Sequence, residues 1–223
     1  PGSVMTMHRA QNSTGTPVRC PACIRAGFLS IFLLLGGCGA LPLPDKPVRP
    51  QPYDLGPALP QAASAAPSGP ALALGRVDAP PAIDGSNIVY RLMYSDAGQQ
   101  PRPYALARWT MAPPQLLAQR LREAFSATRP VVEPGAGLAA VEMRTEIDEF
   151  AQIFSSPAAS EGVVRLRVTV TAPGARAQRL LGQRTFTVRQ PAPTADAAGG
   201  VAALRAASDE AVRQIVAWVN GLQ

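Results

Sequence analysis

Cys38 is the residue best equipped for chemistry in this chain. It follows Leu35-Gly36-Gly37 at the end of the apolar run Phe28–Leu35, and Arg19 and Arg25 stand upstream. A basic leader, a short apolar segment and small residues ahead of a cysteine make a bacterial lipoprotein signal peptide. Glycines at 36 and 37 let the backbone enter a peptidase groove, and the Cys38 thiol receives the lipid. The run is too short to cross a hydrocarbon core, which takes about 20 apolar residues. A buried strand that happens to end in cysteine would explain the run, but not its agreement with the leader and the glycines.

Cleavage before Cys38 removes 37 of the 223 residues and leaves 186, with translation expected to open at Met5 or Met7. The only histidine, His8, goes with the leader. So do Cys20 and Cys23, whose C-x-x-C spacing has no second pair to complete a zinc or redox site. The mature part then has no histidine and no free thiol. That excludes Ser-His-Asp and Cys-His nucleophilic sites, and imidazole or thiolate metal sites. Stability must come from a packed core, since no disulfide can form within one chain. Carboxylates, Tyr, Ser, Arg and the single Lys46 remain for chemistry. The full chain carries +6; losing three arginines with the leader leaves 18 basic residues against 15 acidic ones. This surplus is dispersed rather than gathered in a stripe, so nucleic-acid binding is not expected.

Carboxylates do fall in pairs: Glu146 with Asp148, Asp148 with Glu149, Asp209 with Glu210. On a strand Glu146 and Asp148 share a face, the geometry of general acid–base work. Arg165 and Arg167 on the next strand explain them better as a solvated charge ladder. Asp209-Glu210 reads as the polar side of a helix. Gly36-Gly37, Gly135-x-Gly137 and Gly199-Gly200 lack the strand–glycine–helix context and lysine of a phosphate loop. Gly199-Gly200 reads as flexible chain at the end of a loop. No catalytic residue, metal site or cofactor is expected beyond the lipid on Cys38.

Tyr90, Tyr94, Tyr104 and Trp109 fall within 20 residues of a chain with only 12 aromatics, and Arg91 and Arg108 lie among them. Core and cross-strand packing is the plain explanation. Because alternation sets Tyr90, Leu92 and Tyr94 opposite Val89, Arg91 and Met93, not all can be core. Tyr, Trp and Arg also dominate protein-contact hot spots, so these six form a candidate protein-contact surface.

The elements that position these residues follow from periodicity. Strands are predicted at Leu72–Val77, Ile88–Tyr94 and Tyr104–Trp109. Pro113-Pro114 opens an amphipathic helix over about 114–127, with Leu117, Leu121, Ala124 and Phe125 apolar and Arg120 on the other side. Three long alternating strands follow, from Val141 towards Phe154, from Val164 to Thr171, and from Leu180 to Val188 with Gly182 as a bulge. Ser156-Pro157 through Gly162, and Pro173-Gly174, supply the turns of this meander. A second helix carries Val201, Leu204, Ser208, Ala211, Val212, Ile215, Val219 and Leu222. Two amphipathic helices and a sheet wet on one side fit as an α+β two-layer sandwich, a mostly antiparallel or mixed sheet with both helices on one face.

Domain organisation follows: a cleaved signal peptide over 1–37, a lipidated cysteine and Pro/Ala-rich tether over 38–71, and a folded domain over 72–223. Residues 39–71 hold 9 prolines in 33 positions and cannot bury enough apolar surface to fold. Within them, Tyr53-Asp54-Leu55 is apolar enough to dock as a short edge strand.

Taken in order, these segments resemble the ABC-type transport auxiliary lipoprotein family, which includes the PqiC-like lipoproteins. The resemblance rests on the lipobox, Tyr53-Asp54-Leu55, Pro80-Pro81-Ala-Ile-Asp84, Ile88-Val-Tyr-Arg91 and Tyr104-Ala-Leu-Ala-Arg-Trp109. It continues through Ala112-Pro-Pro-x-Leu-Leu117, Phe186-Thr-Val-x-x-Pro191, Val201-x-Ala-Leu204 and Ile215-x-x-Trp218. The chain departs from the family in its Ala/Pro insertion at about 58–71 and its long leader.

The resemblance implies a non-enzymatic accessory of an ABC transporter, working with an MCE-domain protein in lipid movement between the two membranes of a Gram-negative envelope. It implies a covalent diacylglycerol and an N-acyl chain on Cys38. Gly39, where aspartate would retain a lipoprotein at the inner membrane, implies the periplasmic face of the outer membrane. The rings formed by MCE proteins leave a homo-oligomer open. The alternatives are a periplasmic lipid-binding carrier holding its ligand between helices and sheet, and a carboxylate-dependent hydrolase.

Overall fold

Alternation written into three long segments builds the longest strands of the sheet. β6 (Val141–Ser156), β7 (Ala159–Ala172) and β8 (Arg179–Pro191) form an antiparallel meander. The computed structural model describes residues 48–57, 69–135, 137–174 and 177–222; Cys38, the leader and much of the proline-rich stretch lie outside them. On the edge of β6 away from β7, two strands share its length. β2 (Leu72–Asp78) pairs in parallel with its first part, and β3 (Asn87–Leu92) in parallel with its last. β5 (Val131–Val132) extends the sheet beyond β2, and β4 (Arg102–Trp109) pairs antiparallel with β3. β1 (Gln51–Tyr53) lies parallel to β4 as an edge strand at Tyr53, as the sequence suggests, with Leu55 buried just after it. The eight-stranded sheet is therefore mixed.

One face of this sheet is apolar: Met143 and Ile147 of β6, Val164, Leu166 and Val168 of β7, and Phe186 of β8 are buried. Two helices cover it. α1 (Pro113–Ser126) starts on Pro113 and Pro114, where a helix needs no N–H, and turns Leu117, Leu121 and Phe125 inward. α2 (Ala197–Asn220) adds Leu204, Ala207, Ala211 and Ile215 to the same cluster. Each fully buried leucine, isoleucine or phenylalanine among them contributes roughly 1.5–3 kcal/mol, and the alanines less. Asp196 caps α2, accepting from the Gly199 N–H at 2.8 Å and from the Thr194 hydroxyl at 2.7 Å.

The structure corrects several boundaries. Gly199-Gly200 is not loose chain: both glycines are buried in the first turn of α2. A Cβ at Gly200 would collide with the Gln152 carboxamide, and one at Gly199 with Thr194. Gly162 belongs to β7, not to the preceding turn, which is Pro157-Ala158 alone. The helix passes so close that a Cβ there would lie 2.5 Å from the Leu204 nitrogen. β3 ends at Leu92, two residues early, because the Ser95 hydroxyl and N–H turn back onto the Leu92 carbonyl. The expected bulge at Gly182 falls next to it: Val170 pairs with Gly182 and Thr171 with Leu180, leaving Leu181 unpaired.

Candidate interaction surface

The structure does not bring the six aromatic and arginine residues onto one surface. Trp109 is core, 3% exposed, its ring 5.7 Å from Phe150 in an edge-on contact. It cannot itself present a contact face. Tyr90 and Tyr104 are half-buried and packed ring on ring, with centroids 4.6 Å apart, and Phe154 meets the Tyr90 ring edge-on at 5.9 Å. Arg91 points to the opposite face of the sheet, where Nε lies 3.5 Å from Glu149 and Nη1 donates to the Gln99 carbonyl. Arg108 is exposed and donates to Asn87. Tyr94, released from strand alternation by the early end of β3, is 46% exposed beside Met93 at 57%.

Beneath Tyr104 lies a polar chain that spacing did not reveal. The Tyr104 hydroxyl donates to Gln152 Oε1 at 2.7 Å, and Gln152 Nε2 donates to the Ser160 hydroxyl at 2.8 Å. Gln152 is fully buried on the helix side of β6, under Gly200. Burial, with Tyr90 and Asp196 adding smaller electrostatic effects, pushes the Tyr104 hydroxyl up to about 12. Its proton therefore stays on oxygen and serves as a fixed donor.

The paired carboxylates form the predicted ladder on the helix-free face. Arg167 reaches Asp148 at 2.7 Å and Glu146 at 3.6 Å, and Arg165 lies 3.9 Å from Glu149. Asp148 sits at a bulge, since Ile147 pairs with Leu166 and Glu149 with Arg165. Asp209 behaves otherwise than expected. It faces α1 and holds Arg120, 5% exposed, at 3.5 Å. Arg120 in turn donates to the carbonyls of Leu55 and Gly56, and Arg205 donates to that of Pro57 at 3.2 Å. Arg120 is thus not on the outer side of the helix, as the sequence suggests, but buried: it falls three residues after Leu117, at the margin of the apolar stripe. Only Glu210 of that pair faces outward, against Arg213 and Gln214.

Between the helices and the sheet, where a lipid carrier would hold its ligand, Leu72, Leu117, Leu121, Met143 and Leu166 pack in one cluster, each under 2% exposed. A groove of about 500 Å³ lies instead between β1 and the start of α2, lined by Tyr53, Asp54, Val201 and Arg205 among others. Among the described residues no helix is long and apolar enough to cross a membrane, and no three His, Cys, Asp or Glu side chains gather as metal ligands.

The model of the family described as the ABC-type transport auxiliary lipoprotein component matches residues 53–216. No curated protein matches the chain. Among solved structures, the fold is similar to that of protein XCC0632 from Xanthomonas campestris. The TM-score is 0.62 and the identity 19%, over 76% of this chain and 94% of that one. An uncharacterized protein is similar at a TM-score of 0.59 and 15% identity, over 77% and 99% of the two chains. At these identities the likeness is one of fold.

Proposed function

The chain belongs to the ABC-type transport auxiliary lipoprotein component family, and from that premise we propose that it is a non-enzymatic accessory docking to an MCE-domain protein. It serves lipid transfer between inner and outer membranes and supports envelope integrity. The observation that carries this reading is the family match over 53–216, which runs from β1 into the last turns of α2. Cleavage before Cys38 and acylation there anchor the domain at the periplasmic face of the outer membrane through Gly39-type sorting. The diacylglycerol and N-acyl chain together hold far more firmly than one acyl chain. Tyr94 and Arg108 are the exposed members of the aromatic and arginine group and meet the partner, while Tyr90, Tyr104 and Trp109 hold the β3–β4 pair rigid behind them.

Isolation of the full chain from detergent-solubilised envelopes tests this. The wild-type protein retains an MCE-domain protein, Cys38→Ser releases the chain from the membrane, and Tyr94→Ala with Arg108→Ala weakens the co-isolation. Replacing Glu146, Asp148 and Glu149 leaves envelope integrity unchanged, as a ladder rather than a catalytic site requires. Failure of the anchored, folded protein to retain any MCE-domain protein overturns the reading.

A further inference from the structure

β8 closes the end of the sheet opposite β1, and among the described residues it pairs with β7 alone. The Ala192 N–H bond to the Ser160 carbonyl, at 2.9 Å, fixes which backbone groups face β7. Alternation then turns those of Gln183, Thr185, Thr187 and Arg189 to the open side, and all four residues are exposed. No proline interrupts them; Pro191 stands only at the end of the strand. Such an edge is a template for one more strand.

The charge along it has one sign. From Gly162 to Ala195 the chain holds six arginines and no Asp or Glu. Arg165, Arg167 and Arg189 are taken up by Glu149, Asp148 and Glu161. Arg179 and Arg184, exposed on β8, have no carboxylate partner among the described residues. Their register opposite Ala172 and Val168 sets both on the helix side. There the Arg184 guanidinium lies 5.1 Å over Phe186, whose ring meets Trp218 of α2 at 5.6 Å.

We propose that β8 is a docking edge for an extended, acidic segment of a partner protein, which adds to the sheet as a further strand and sets its carboxylates on Arg179 and Arg184. A second copy of this chain fits worse, because β8 against β8 brings arginines against arginines. The edge lies at the other end of the sheet from Tyr94 and Arg108, and the proposal goes beyond the reading above without depending on it.

Hydrogen exchange of the full chain in detergent, with a short capped peptide alternating glutamate and valine, tests this. The amides of Gln183, Thr185, Thr187 and Arg189 slow at least several-fold with that peptide, and a lysine–valine peptide leaves them unchanged. Thr185→Pro removes a donor that β7 does not use and abolishes the protection. Arg179→Glu with Arg184→Glu transfers the preference to the lysine peptide, and it carries the test if the proline variant does not fold. Equal protection by both peptides, or by neither, overturns the proposal and leaves the arginines as guards against aggregation. Protection that grows with protein concentration and no peptide also overturns it, by making the occupant a second copy.

Discussion

Gly162 of β7 and Leu204 of α2, 42 positions apart in sequence, meet backbone to backbone: any Cβ at 162 would lie 2.5 Å from the Leu204 nitrogen and 2.6 Å from the Ala203 carbonyl carbon. Backbone cannot swing aside as a side chain can. Gly162→Ala is expected to lift the helix from the sheet and lower stability by about 1–3 kcal/mol. Gly85→Ala, with nothing within 4 Å of its Cβ, is the neutral control. Urea denaturation of both variants reads the difference.

The Tyr104 hydroxyl gives a second test. Its value near 12 is above that of an unfolded tyrosine, so the neutral form is favoured by folding. That contribution is complete below about pH 10 and is lost as the pH climbs through the folded value. Ultraviolet titration should show one tyrosine ionising last, and Tyr104→Phe should remove that step. The same variant leaves Gln152 Oε1 without its donor, which costs about 1–3 kcal/mol.

Arg120 and Asp209 are nearly buried, with side chains 5% and 11% exposed. Removing one partner of a buried pair costs on the order of 3–5 kcal/mol, whereas removing both costs less than the sum. Arg120→Ala, Asp209→Ala and the double variant, measured by denaturation, should show that shortfall. Arg120→Ala alone should also speed hydrogen exchange in β1.

Asp196 sets an acid limit on the start of α2. The Gly199 N–H and the Thr194 hydroxyl hold its carboxyl below the usual carboxylate range. Its stabilising effect is therefore full above the unfolded value near 3.9 and fades as the pH falls through the folded one. Asp196→Ala should lower Tm at neutral pH, and the gap from wild type should close in acid.

Much of this fold is legible in the sequence, because its signals are local. Alternation at Val141–Ile147 and Val164–Val170, the Pro113-Pro114 start of α1 and the stripe through Leu204, Ala211 and Ile215 each lie within one element. Glu146, Asp148 and Arg167 were readable as a ladder for the same reason, being on neighbouring strands of one hairpin. What escaped depends on approach between distant segments. Gly199 and Gly200 look like loop glycines until Thr194 is found against the first and Gln152 beneath the second. Asp209 looks like surface until α1 crosses it, and Trp109 looks like a contact residue until Phe150 meets it. The end of β3 at Leu92, short of Tyr94, escaped for a smaller reason, a serine that turns back onto the Leu92 carbonyl.

Arg120 and Arg205 hold main-chain oxygens of Leu55, Gly56 and Pro57, not their side chains. A grip on carbonyls is indifferent to spelling. The residues at 56 and 57 can therefore change without loosening the fastening, provided that the one at 56 can adopt the φ of +66°, whereas the buried Leu55 side chain must stay apolar. Two guanidinium groups thus tie down the backbone of this segment while one leucine side chain anchors it in the core, so the strap is fastened twice by unrelated forces.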